Sequence, residues 1–209
     1  KIRHMREVAT ERGVPLIFLG ESAGARMPDR MGAPGRAMLG QDPAEYRRVR
    51  RTPWVSALLG DCYGSSTWYS CVSDFVVMRK GATMAVASSR VTSIAINQAV
   101  DAEELGGWRL HSGTTGLVDR VVDSDEQALE EIRAFLSYLP SHSGEAPPRQ
   151  PVPEGSDDAA AEILETLPET RNAVYDVRDI VRAVVDRESF FELKARFGKS
   201  ISTGLARID

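Results

Sequence analysis

Trp54-Val55-Ser56-Ala57-Leu58-Leu59-Gly60-Asp61-Cys62-Tyr63-Gly64-Ser65-Ser66-Thr67 is the stretch that decides the fold. Trp54–Leu59 is a short, nearly continuous apolar run, as expected of a strand buried on both faces. It runs into Gly60–Gly64, which reads as a turn, and Ser65–Cys71 then reads as the start of a helix. A strand passing through glycine into a helix start leaves main-chain N–H groups aimed at one spot, and the helix dipole adds positive potential there. Such a junction can hold a developing oxyanion. It equally suits plain close packing of a helix on a sheet, and on local pattern alone that reading is the commoner.

The flanking sequence repeats the alternation. A helix from Lys1 to Arg12 stops at Gly13, and after Pro15 the run Leu16–Leu19 reads as a buried strand ending in a glycine-bearing turn. Further strands are expected over Asp74–Met78, Ala82–Ala87 and Gly116–Val122. Ser124, with Gln127 three residues on, is a capping box for a helix whose Leu129, Ile132, Phe135, Leu136 and Leu139 fall at helical spacing. Met27–Pro43 is rich in Gly and Pro and reads as a loop, with Pro43–Arg47 opening a helix. The fold class is α/β.

Length and composition bound the rest. With 209 residues, 42% hydrophobic and 27% charged, the chain has the balance of a globular domain, or of one domain plus part of a second. A net charge of −4 gives no reason to expect nucleic acid as a partner. No apolar run reaches the ~18 residues of a membrane helix. Two cysteines, Cys62 and Cys71, in no metal-ligand spacing suit a reducing compartment and make a zinc site unexpected. The segment from Pro140 to about Pro168 shifts to Pro, Gly and Asp, the composition of an interdomain linker. Beyond it Asp176–Val185 reads as an amphipathic helix and Ser200–Ile208 as a strand. These roughly forty residues are too few for an independent core. The expected organisation is therefore a first domain over 1–140, a linker over 141–170 and the opening of a second domain over 171–209. The absence of an initiating Met suggests a fragment.

Two further motifs invite chemistry. Gly20-Glu21-Ser22-Ala23-Gly24 is a literal G-x-S-x-G, which would make Ser22 an esterase nucleophile if a helix followed and a histidine and an acid lay nearby. Pro28 and the Gly/Pro-rich stretch argue against that helix, His142 lies at the start of the linker composition, and His111 has no marked acidic neighbour in sequence. Gly198-Lys199-Ser200 ends like a phosphate-binding loop, but Leu193 stands where that pattern requires glycine, so it is set aside.

The ordered set of motifs resembles the carboxyltransferase subunit of biotin-dependent acyl-CoA carboxylases. Gly13-Val14-Pro15 through Glu21-Ser22-Ala23-Gly24-Ala25-Arg26 is similar to the family's G-x-P…D-S-G-G-A-R, and Gly60–Tyr69 to G-P-C-A-G-G-A-x-Y. Ala102–Ser112 is similar to E-E-L-G-G-A-R-x-H, and Phe135–Ser141 to the run closing the family's first domain. Tyr175–Arg178, Phe190–Glu192 and Thr203–Arg207 resemble the opening of its second domain.

The resemblance implies a crotonase-like fold of repeated ββα units. It implies transfer of a carboxyl group from carboxybiotin to the α-carbon of an acyl-CoA, in a site shared between the first domain of one subunit and the second domain of another. Acyl-CoA is then the substrate, and biotin is carried on a partner protein or domain. Biotin carboxyl carrier and biotin carboxylase components are the expected partners, within a dimer-based homo-oligomer or hexamer. No nucleic acid or membrane partner is expected, and the compartment is the cytoplasm, or the mitochondrial matrix in a eukaryote. By position the thioester oxyanion pair is Gly64 and Ser65, acting through main-chain N–H. Ala23, Gly24, Arg26, Tyr63 and Ser66 would line the substrate site, with a structural salt bridge the equal alternative for Arg26. The chain departs from the pattern: Gly-Gly-Ala becomes Gly64-Ser65-Ser66, the preceding Ala becomes Tyr63, Trp68 follows, and Ala23 replaces a glycine. Tyr63 and Trp68 would narrow the space beside the thioester. An acyl-CoA decarboxylase and a non-catalytic subunit of the same family remain as alternatives, beside the esterase.

Overall fold

The computed structural model describes residues 2–24, 51–156, 158–161, 163–170 and 172–208. The loop and helix expected over 27–47, and Arg26, lie outside the described residues.

Helix α1 (Ile2–Arg12) ends at Gly13, whose φ of 72° lets the chain reverse, and strand β1 (Leu16–Ser22) follows. β2 (Trp54–Tyr63) is the central strand. It leads through Gly64 into α2 (Ser65–Cys71), then β3 (Phe75–Arg79) and β4 (Thr83–Ala85). Three short helices come next: α3 (Ser89–Ile96), α4 (Ala102–Gly106) and α5 (Trp108–Gly113). β5 (Arg120–Val122) and α6 (Asp125–Leu136) complete the body. The C-terminal part holds α7 (Asp158–Ala161), α8 (Ile163–Thr166), α9 (Val177–Val184) and the strands β6 (Phe191–Leu193) and β7 (Thr203–Leu205).

β1, β2, β3 and β5 form a parallel sheet in that order, and β2 changes partner along its length. Val55–Leu58 pair with β3, whereas Asp61–Tyr63 pair with β4. Between these halves the register with β1 shifts by two residues, from Gly20 opposite Leu58 to Ser22 opposite Cys62. This irregularity bends β2 and carries its end onto a second partner.

The two faces of β2 account for its apolar run. Val55 and Ala57 pack with Phe75, Val77, Ile132, Phe135 and Phe191 on one side. Leu58 and Cys62 pack with Val76, Met78, Met84 and Val118 on the other. Phe75 and Phe135 stack with centroids 4.5 Å apart, holding α6 on the sheet. The Ser124 hydroxyl accepts from Gln127 N at 3.2 Å, as the capping box predicts, while the Gln127 side chain accepts from Asp123 N at 2.8 Å.

Several boundaries differ from the expectation. β1 continues through Gly20, Glu21 and Ser22, and β2 continues through Gly60–Tyr63, so the turn is confined to Gly64. The strand expected over Gly116–Val122 is paired only from Arg120, and that over Ser200–Ile208 only at Thr203–Leu205. The linker composition holds two one-turn helices, α7 and α8. β6 and β7 form an antiparallel pair lying against β5 and α6. Phe191 enters the main core, Arg120 Nη1 donates to Glu192 O at 3.1 Å, and Lys194 Nζ pairs with buried Asp119 at 3.1 Å.

Candidate functional site

The junction after β2 is set by one unusual backbone position. Gly64 has φ 67° and ψ −121°, a combination that L side chains rarely adopt, although a Cβ there would meet no atom within 4 Å. Glycine is therefore required by conformation and not by crowding. Ser65 is the first residue of α2 and is not among the positive-φ residues. The Gly-to-Ser departure thus falls where a side chain is tolerated.

Hydroxyls clamp the start of α2 to both strands. Thr67 Oγ1 lies 2.7 Å from the carbonyl oxygens of Cys62 on β2 and Ala85 on β4, its single proton serving one at a time. Buried Ser66 donates to Tyr63 O at 3.1 Å, and Ser70 donates to Ser66 O at 3.0 Å. The Ser66 side chain is therefore occupied in holding the turn. Thr67 was not singled out in the sequence, where a threonine after two serines carries no distinguishing signal.

The main-chain donors divide unequally. Gly64 N–H is shared between Val86 O at 3.1 Å and Ala85 O at 3.3 Å, which continues the β2–β4 pairing by one residue. The first intrahelical bond of α2 runs from Trp68 N to Gly64 O at 3.3 Å. Ser65, Ser66 and Thr67 thus carry N–H groups that precede it, and no side chain caps them. These three are the junction's donors with no intrahelical partner.

The second turn lies alongside. Ala23 and Gly24 follow β1 and are exposed, and a Cβ on Gly24 would lie 3.8 Å from Tyr63 Cβ. Tyr63 is buried, and its hydroxyl donates to Asp61 Oδ1 at 3.2 Å. Burial, followed by the Asp61 charge, pushes the Tyr63 pKa up, so the phenol keeps its proton. Cys62 faces the core, where its thiol donates to Gly20 O at 3.1 Å and burial pushes its pKa up to about 11. It is inert as a nucleophile at neutral pH.

The esterase reading loses its geometry. Ser22 closes a strand instead of standing on a turn into a helix, and its Oγ accepts from Gly24 N at 3.3 Å. Buried His111 places Nε2 2.7 Å from Met84 O and Nδ1 3.0 Å from Thr115 Oγ1. A carbonyl can only accept, so Nε2 carries the proton and Nδ1 accepts from the threonine. Burial lowers the His111 pKa, which makes it a neutral pin between α5 and β4. His142 pairs with Glu145 at 3.0 Å. Gly106 marks the same contact of the α4–α5 region with β4, since a Cβ there would fall 2.2 Å from Met84 O. Among the described residues no group of three or more His, Cys, Asp or Glu could hold a metal ion, and no helix is long and apolar enough to cross a membrane.

Comparison with known proteins places this geometry. The model of the carboxyl transferase domain matches residues 1–209. An uncharacterized carboxylase of Bacillus subtilis is 35% identical over 215 residues, covering all of this chain and 41% of its own length. The carboxyltransferase subunit of propionyl-CoA carboxylase from Haloferax mediterranei is 34% identical over 214 residues, again over all of this chain and 40% of its own length. The chain thus spans about two fifths of the curated relatives it matches. Transcarboxylase 12S, a hexamer solved with hydrolyzed methylmalonyl-coenzyme A bound, superposes with a TM-score of 0.83 at 26% identity, over 99% of this chain and 40% of that one. The superposition bears out the crotonase-like α/β fold.

Proposed function

The chain belongs to the carboxyl transferase domain family, and from that membership we propose that it supplies the acyl-CoA half of a carboxyltransferase active site. The observation that carries the reading is the Gly64–Ser65 junction, where a positive-φ glycine presents the start of α2 beyond the end of the central strand. Carboxylation at an α-carbon proceeds through an enolate, whose negative charge falls on the thioester oxygen. Main-chain N–H groups fixed in place stabilise that charge without reorganising. Ser65 N–H is the principal donor, and Ser66 N–H lies next to it. Gly64 N–H contributes only if its bond to Val86 O lengthens, because one proton is already shared between two carbonyls. Neither serine hydroxyl acts as a nucleophile. Ala23 and Gly24 form the opposite wall, with Arg26 as the candidate anchor for a CoA phosphate.

Carboxybiotin, delivered on a carrier partner, supplies the carboxyl group. The residues that receive it belong to the second domain, whose opening is read at 171–209 after a linker over 141–170. The whole protein works with a biotin carboxylase component in a dimer-based homo-oligomer, in the cytoplasm or, in a eukaryote, in the mitochondrial matrix. The full-length protein, supplied with carboxylated carrier and acetyl-, propionyl- and longer acyl-CoAs, should carboxylate at least one of them. Decarboxylation of a malonyl-type thioester without net carboxylation would favour the decarboxylase of the same family. Binding of thioester without either reaction would favour a non-catalytic subunit, and no binding at all would refute the reading.

A further inference from the structure

Buried His111 takes no part in the chemistry above, yet its hydrogen bond bears on the junction that does. β4 is three residues long and pairs with the end of β2 along one edge. Successive carbonyls of a strand point to opposite edges, so with Ala85 O turned toward β2, Met84 O is turned away from it. That outward carbonyl accepts from His111 Nε2 at 2.7 Å. Met84 is fully buried, and a carbonyl deprived of its donor there is left without water to replace it. Thr115 Oγ1, 3.0 Å from Nδ1, holds the ring in this orientation.

The inner edge of β4 carries the junction. Ala85 O accepts from Thr67 Oγ1 at 2.7 Å, and Val86 O accepts from Gly64 N at 3.1 Å. Both groups belong to the turn into α2, whose first residue is Ser65. We infer that His111 is a positioning residue for the oxyanion junction: its bond to Met84 O holds β4, and β4 holds Gly64 and the start of α2. The inference rests on the carboxyltransferase reading. His111 acts through the placement of Ser65 N–H, so its loss falls on the transition state and leaves thioester binding nearly unchanged. A misplacement of about 1 Å costs on the order of 10²-fold in rate.

The test uses the full-length protein in its complete carboxylase complex, with whichever of acetyl-, propionyl- and octanoyl-CoA wild type carboxylates fastest. kcat is expressed per thioester-binding site, counted by calorimetric titration, so that misfolded protein does not enter it. His111→Leu, which removes the donor, should lower kcat by about tenfold or more while KM stays within about threefold. His111→Gln carries an amide N–H to the reach of Nε2 and should stay within about threefold of wild type, whereas the shorter His111→Asn should fall with leucine. Should His111→Leu fail to fold, the glutamine and asparagine pair decides the matter. In a Ser65→Pro background, loss of His111 should lower kcat by less than about threefold, because the donor it positions is already gone. A histidine that merely stabilises the fold would give the same factor in both backgrounds, and that result overturns the inference. So do equal losses in the glutamine and asparagine variants, a smaller loss than tenfold in His111→Leu, or a fully active Ser65→Pro complex. A wild-type complex that carboxylates no thioester overturns the carboxyltransferase reading and this inference with it.

Discussion

Ser65→Pro removes one hydrogen-bond donor from the junction with little structural cost. Ser65 is the first residue of α2, where proline is well tolerated because the N–H it lacks has no intrahelical partner. Proline also disfavours helical backbone in the residue before it, and Gly64 with ψ −121° is already far from helical. The Ser65 side chain is exposed, so little packing is lost and unfolding stability should move by no more than ~0.5 kcal/mol. Catalysis should respond quite differently. Loss of one oxyanion donor costs about 10²–10³ in kcat, or ~3–4 kcal/mol. The upper part of that range is expected here, because Gly64 N–H is already bonded to Val86 O and cannot easily substitute. The assay is steady-state carboxylation of the best acyl-CoA by the complete complex, with thermal denaturation as the check on folding. Ser65→Ala keeps the N–H and should stay within about threefold of wild type. A fully folded Ser65→Pro protein retaining a third or more of wild-type kcat would refute main-chain donation at Ser65. Equal losses in Ser65→Ala and Ser65→Pro would instead assign the role to the hydroxyl.

Gly64→Ala meets no neighbouring atom but must adopt a strained backbone, so it should lose about 1–3 kcal/mol in urea unfolding; an unchanged midpoint would show that the turn relaxes freely. Phe191→Ala removes a ring packed on Phe75, Phe135 and Tyr138 and should cost about 3–5 kcal/mol, measured by the same titration; a loss under 1 kcal/mol would mean that the C-terminal hairpin contributes little to the core. His111 is held neutral by burial, so its pKa is lower folded than unfolded and the unfolded state binds the extra proton in acid. Stability from this group is present above the ordinary histidine pKa of 6.5 and is lost as pH falls below it. Melting temperature should therefore drop between pH 7.5 and 5.5, and His111→Gln should flatten that slope while lowering stability at pH 7.5; an unaltered slope would remove His111 as its source.

The sequence by itself determined the parts of the fold that depend on local pattern. The runs at Leu16–Leu19 and Trp54–Leu59 read as strands, and Ser124 and Gln127 marked the start of α6, as the glycine at 64 marked a break between strand and helix; burial held for Trp54–Leu58 but not for β1, whose Ile17 and Leu19 are exposed. The order of its motifs also sufficed to place the chain in a family. Helices α3 to α5 escaped because they are short or lack a buried apolar stripe: Val91 and Ile94 on α3 are exposed, so no core-facing period was there to read. Tertiary structure alone decided the geometry of the Gly64–Ser65 junction. Which position of the Gly-Ser pair needs glycine is a matter of φ, which is positive at Gly64 and not at Ser65. That Gly64 N–H is engaged by Ala85 and Val86 depends on carbonyl groups about twenty residues away, which have no side-chain signature. The same holds for Phe191, more than fifty residues from Phe135, which is buried in one cluster with Val55, Phe75 and Phe135. Local sequence encodes propensity and period, whereas donors, strain and shared cores arise only when distant segments are brought together.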